Sequence, residues 1–244
     1  MGLTTERDGT AGGYEAVPVP PATDAAAESG PAVLRRRSAL PTRRSVLYLH
    51  CAKNTFVPED LVSWYTERGF HFYVADLRPQ EGLDRPARRR RRKGPSQSER
   101  FAGLDSACRH LREAEGSEMI LVSAHSAGAL TAAQWCDARR DDGLADALIL
   151  SSPAFRRQLR KGLNIACPVL VMCSAEDGKA RRGPRLRRRS DEATVRLGPH
   201  VTWLRLEDGL DGSEGDAGDR RNFFDEMGRW LGAYMYGQVR DQLL

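Results

Sequence analysis

The chain has 244 residues, 40% hydrophobic and 29% charged, with 38 Lys and Arg against 33 Asp and Glu for a formal net charge of +5. That supplies apolar material for one sizeable core, while a mean hydropathy of −0.54 leaves much of the chain hydrophilic. No run approaches the roughly 18 apolar residues of a membrane span, and the opening MGLTTERDG has no apolar signal core, so neither a spanning helix nor a secretory signal is expected.

Charge is local. Arg35 to Arg37, Arg88 to Lys93 and Arg187 to Arg189 are basic clusters, and Glu207 to Asp219 is acidic. The five cysteines, Cys51, Cys108, Cys136, Cys167 and Cys173, show neither metal-ligand nor disulfide-framework spacing. Two of them fall in apolar runs, where a thiol acts as a small hydrophobe. The expectation is no metal, no cofactor and a reducing, cytoplasmic location.

Residues 1–31, rich in Gly, Pro, Ala and Thr without an apolar period, are expected to be a disordered or loosely attached leader, in which Tyr14 to Val19 is a candidate edge strand. A short strand at Ala32 to Leu34 runs into three arginines that suit a solvated edge. Ser45 to Leu49 is a strand ending at His50, Glu59 to Arg68 a helix stopped by Gly69, and Phe70 to Leu77 the next strand. Strand, helix, strand forces a parallel sheet. A helix over 99–114 leads to the apolar run Met119 to Val122, and strands follow at Ala147 to Leu150, Val169 to Cys173 and Val201 to Leu206. The helix Asn222 to Tyr236 closes the series. We therefore expect an α/β fold, a mostly parallel sheet flanked by helices, over 32–238, with a tail at 239–244.

Within this series, Met119 to Val122 meets the small-residue turn Ala124-His125-Ser126-Ala127-Gly128, and a helix spaced on Leu130, Ala133 and Trp135 follows. A large side chain at Ala124 or Gly128 would collide with the helix packing back on its strand, so small residues suit a sharp turn with Ser126 at its tip. This is the G-x-S-x-G elbow pattern with alanine in the first glycine position. The alternative is an ordinary strand-to-helix turn with a capping serine.

The runs SVLYLHCAKN, FYVADLR, AHSAG, ALILSSPAF, CPVLVMCSAED and HVTWLRLEDG, in that order and with a terminal GRWLGAY, resemble an α/β-hydrolase. More narrowly, the chain is similar to the bacterial serine aminopeptidase-like and monoacylglycerol lipase-like branch, over about Tyr14 to Tyr236. The resemblance implies acyl transfer to water, on esters or lipids, through a serine, an acid and a histidine. It implies Ser126 as nucleophile, the backbone N–H groups of Ala127 and Ala52 as oxyanion donors, and Asp177 as the acid, with Asp191 as runner-up. Two departures accompany it at the catalytic edge. Cys51 stands where a glycine is expected, and the loop Glu207 to Asp219, where the family carries its histidine, has none.

The five histidines are His50, His71, His110, His125 and His200. A base must come within about 3 Å of the serine oxygen. His200 starts the last strand, which at ~3.3 Å per residue puts it about 20 Å from the catalytic edge. His71 also begins its strand, and His110 lies in a helix. His50 and His125 remain as substitute bases, and Asp208 or Asp211 could occupy the vacant place, although a carboxylate is a weak base toward a hydroxyl. The stretch Ser151 to Pro168 is too short for the family's cap, so the lid is expected to be largely absent and the acyl substrate small. Arg88 to Lys93 lacks interleaved aromatics and reads as a solvated loop; no specific nucleic-acid partner is expected. Catalytic competence, the identity of the base and the oligomeric state are open in the sequence.

Overall fold

A computed structural model describes residues 13–21, 31–49, 57–77, 96–153, 162–174, 197–206 and 217–241, with side chains of the last stretch described over 221–235. In chain order its elements are β1 (Glu15–Pro18), β2 (Ala32–Arg36), β3 (Arg44–Leu49), α1 (Glu59–Glu67), β4 (His71–Asp76), α2 (Gln97–Glu113), β5 (Met119–His125), α3 (Ala127–Ala138), β6 (Ala147–Ser151), β7 (Val169–Ser174), β8 (Val201–Leu206) and α4 (Ala217–Asp241). The strands hydrogen-bond in the order β1-β2-β4-β3-β5-β6-β7-β8. The pairs β3–β4, β6–β7 and β7–β8 are parallel, and β1–β2 and β2–β4 are antiparallel. The fold is α/β, a mostly parallel sheet flanked by helices, as the alternation of elements predicts.

The chain divides into two compact units, Met1–Ser123 with Asp142–Asp146, and Ala124–Asp141 with Ala147–Leu244. In the first unit α1 packs on β4. Leu61, Val62, Trp64 and Tyr65 form its buried face because they recur at helical spacing. Tyr65 is wholly buried and meets Trp64, Phe70 and Phe72 with ring centroids 5.0, 5.9 and 5.8 Å apart. Each such aromatic removed from water stabilises the unit by ~2 kcal/mol. Gly69, at φ 74°, ends α1: its N–H donates to Thr66 O, and Phe70 N–H donates to Tyr65 O. That left-handed terminus favours glycine, which has no Cβ to clash. At α2 the Ser96 hydroxyl accepts from Glu99 N–H while the Glu99 carboxylate accepts from Ser96 N–H, a reciprocal cap.

Of the three arginines expected at a solvated edge, Arg37 is exposed and Arg36 partly so, whereas Arg35 departs from the expectation. β1 lies outside β2, and the Arg35 side chain is only 13% exposed, held by Glu15 and Glu115. Neutralisation by two carboxylates makes that burial tolerable. β1 itself is the candidate edge strand, formed within the expected leader.

In the second unit α3 packs on β6. Its alanines Ala129, Ala132 and Ala133 are fully buried with Trp135, so small residues set a close approach and one large ring fills what remains. Between β6 and β7 only residues 152–168 intervene, and their described parts, 152–153 and 162–168, hold no helix or strand. Among the described residues no helix is long and apolar enough to cross a membrane.

Candidate active site

β5 delivers the chain to a strained residue. Ser126 adopts φ 54°, ψ −115°, and α3 begins at the next residue. Positive φ with strongly negative ψ is a region glycine enters freely and other residues enter at a cost of ~1–3 kcal/mol. A capping serine would be extended and would accept a helix N–H through its oxygen. Ser126 does neither, since its side chain makes no capping hydrogen bond. The sharp turn is therefore present, and the capped-turn alternative is not. Ser126 is partly exposed, Ala127 is exposed, and Ala124, Gly128 and Ala129 beneath them are buried. The small residues singled out in the sequence, Ala124 and Gly128, are both buried.

Ala127 is the first residue of α3, so its N–H has no acceptor within the helix. Roughly half a positive charge gathers at such a terminus. An anionic oxygen formed beside Ser126 would be met by that end of the helix.

β6 holds the turn from the side. Ser126 N–H donates to Ser151 O at 3.0 Å, and Ser152 N–H donates to Met172 O at 2.8 Å, which ties the end of β6 to β7. His125, the last residue of β5, places Nδ1 3.1 Å from Ser151 Oγ, and that hydroxyl lies 3.4 Å from Ala124 O. Ser152 has φ 44°, so the chain turns sharply immediately after Ser151. Sequence reasoning missed Ser151. The signal available for it was a serine ending the otherwise apolar strand ALIL.

Of the residues expected at the site, Ser126, Ala127 and His125 are consecutive at this turn. His50, Ala52 and Asp177 lie outside the described residues, as do Asp191, Asp208, Asp211 and the run Arg88 to Lys93. Three histidines are placed elsewhere. His71 opens β4 opposite Ser45, at the start of two parallel strands, whereas Ser126 follows the end of β5. Its Nδ1 accepts from Ser38 N–H at 3.1 Å. Burial, aided by the Arg37 and Arg35 charges, holds its pKa below the ordinary histidine value. His110 lies in α2, 3.8 Å from Glu115. His200 precedes β8, where its carbonyl accepts from Val169 N–H at 2.8 Å. Among the described residues no three His, Cys, Asp or Glu side chains gather as a metal site.

A mostly parallel sheet with a non-glycine residue strained between strand and helix is the arrangement found in α/β-hydrolases. Residues 42–193 match the family described as serine aminopeptidase, S33. The chain belongs to this family. Its fold is similar to that of Est1E from Butyrivibrio proteoclasticus, with a TM-score of 0.56 and 13% identity over 92% of this chain and 99% of that one. It is also similar to the propionate-bound esterase Est2 of Thermogutta terrifontis (TM-score 0.60, 16% identity, 91% and 94% covered). A monoacylglycerol lipase of Paleococcus ferrophilus gives a TM-score of 0.56 at 14% identity, covering 83% and 99%. No curated protein matches the chain in sequence.

Proposed function

We propose that the protein is a serine hydrolase of small carboxylic esters or related acyl substrates, with Ser126 as nucleophile and turnover slowed by the absence of a histidine from Glu207 to Asp219. The observation that carries this reading is the φ 54°, ψ −115° conformation of Ser126 at the head of α3. Strain of that kind at non-glycine residues clusters at active sites and ligand clamps.

In this reading Ser126 Oγ attacks the acyl carbonyl carbon while its proton passes to the base. The resulting oxyanion is met by the N–H groups of Ala127 and Ala52, and loss of one such donor raises the barrier by about 3 kcal/mol. The ester C–O bond then breaks and the alcohol leaves with the proton. Water repeats the sequence on the acyl-serine, releasing the acid. Asp177 would orient the protonated base, and His50 or His125 would act as that base. The short connection from Ser152 to Pro168 favours small acyl groups over long chains, which need an enclosed apolar pocket.

Hydrolysis of p-nitrophenyl acetate tests the reading. A slow rate lost in Ser126→Ala is expected, and a rate unchanged in Ser126→Ala would remove the turn from the mechanism. The missing histidine favours a second reading, a pseudo-hydrolase kept as a binding module. That reading requires no Ser126-dependent turnover at all.

A further inference from the structure

Ser126 and Ser152 are the two non-glycine residues at positive φ among the described residues, at 54° and 44°. They follow the ends of neighbouring strands, β5 and β6. One peptide group relates them: its carbonyl, from Ser151, accepts from Ser126 N–H at 3.0 Å, and its N–H, from Ser152, donates to Met172 O at 2.8 Å. Standard bond lengths then keep the Ser152 Cα within about 7 Å of the Ser126 nitrogen. We propose that Ser152 is a substrate-binding residue of the Ser126 site, its hydroxyl held in reserve for a hydrogen bond to an oxygen of a bound carboxylic ester. This rests on the reading of Ser126 as nucleophile.

Three departures from ordinary local structure coincide at Ser152. Its φ of 44° is one that residues with a Cβ rarely adopt. It precedes Pro153, and a residue before proline is restricted further, toward extended backbone of negative φ. Its Oγ is closed from solvent and has no hydrogen-bond partner. A hydroxyl in that condition destabilises the fold, since its bonds to water are given up without replacement. Alanine would remove that cost, and glycine the backbone strain as well. Departures of this kind gather at functional sites.

The hydroxyl is one rotation away from another setting. Serine has a single side-chain torsion with three staggered positions, so Oγ can change direction while the peptide that holds Ser126 stays where it is. Ser152 itself is partly exposed. An ester carbonyl can accept from a serine hydroxyl, which supplies the partner that Oγ lacks. Because no hydrogen bond within the protein has to break first, the whole of the new bond favours the bound ester.

The test measures stability and turnover of the full chain in Ser152→Ala and Ser152→Gly, with p-nitrophenyl acetate as substrate. The expected result is a urea midpoint in Ser152→Ala no lower than in the wild type, a higher one in Ser152→Gly, and a Ser126-dependent kcat/KM lowered about tenfold in both, tenfold being the weight of roughly one good hydrogen bond. A merely structural hydroxyl would move the two readouts together, lowering the midpoint along with the rate. A lower midpoint in Ser152→Ala therefore overturns the proposal, as does a wild-type kcat/KM in either variant. If the wild type shows no Ser126-dependent turnover, the hydrolase reading falls and takes the role of Ser152 with it. Turnover in the wild type that both variants retain in full sinks the role of Ser152 alone.

Discussion

Arg35 Nη1 donates to both carboxylate oxygens of Glu115 at 2.6 Å, joining β2 to the residue just beyond α2 across 80 positions of sequence. Both side chains are largely covered, at 13% and 15% exposure. The Tyr73 hydroxyl donates to the same carboxylate at 3.1 Å, and Arg35 also pairs with Glu15 of β1. The edge of the sheet is thus fastened by a cation shared between two acids. A part-buried charge-assisted group of this kind contributes more than an exposed pair, because its members are less screened.

The Tyr73 hydroxyl gives this cluster an alkaline signature. Burial first, and the Glu115 carboxylate second, push its pKa up to about 12. In the unfolded chain a tyrosine ionises near 10. Below that value both states hold the proton and nothing changes. From there up to about 12 only the unfolded state releases it, so folding stability falls as pH rises through this window. Burial also raises Tyr65, which reinforces the trend. Urea midpoints measured from pH 9 to 11.5 are expected to fall more steeply in the wild type than in Tyr73→Phe.

His71 supplies the acid counterpart. Its Nδ1 accepts the Ser38 N–H, and burial lowers its pKa. As pH falls below the ordinary histidine value, the unfolded chain binds a proton that the folded one resists, so stability is lost toward low pH. His71→Asn keeps an acceptor near the Nδ1 position and removes the titration. Its unfolding midpoint is expected to change less between pH 7.5 and 5.5 than that of the wild type, and equal slopes would contradict the assignment.

Strain at Ser126 predicts an inversion of the usual order of substitutions. Ser126→Gly and Ser126→Ala both remove the hydroxyl, but only glycine occupies φ 54°, ψ −115° without a Cβ clash. Ser126→Gly is expected to be more stable than Ser126→Ala by about 1 kcal/mol, although glycine ordinarily lowers stability. Equilibrium urea unfolding of the two variants decides it. Alanine as the more stable variant would mean that the turn carries no strain.

Much of this arrangement was legible in the sequence because it depends on periodicity and on small residues. The strands from Ser45 onward follow apolar runs, and α1 stops where Gly69 predicts. The turn at Ser126 follows from AHSAG between an apolar strand and a helix. β5 extends further than its apolar run, through Ser123 and Ala124 to His125, and Ser126 N–H just beyond it donates to Ser151 O. The burial of Arg35 was not legible, since its partner Glu115 is distant in sequence and an isolated arginine run reads as solvated. Ser151 was hidden for the same reason. One serine at the end of a strand has no spacing signal, and its contacts with Ala124, His125 and Ser126 join residues distant in sequence.

The most direct measurement is the site of fluorophosphonate attachment, mapped by peptide mass spectrometry on the wild type and on Ser126→Ala. The account predicts one slow adduct on Ser126, absent from Ser126→Ala. No adduct at Ser126 under conditions that label a reference serine esterase, or equal labelling of both proteins at another residue, would contradict it.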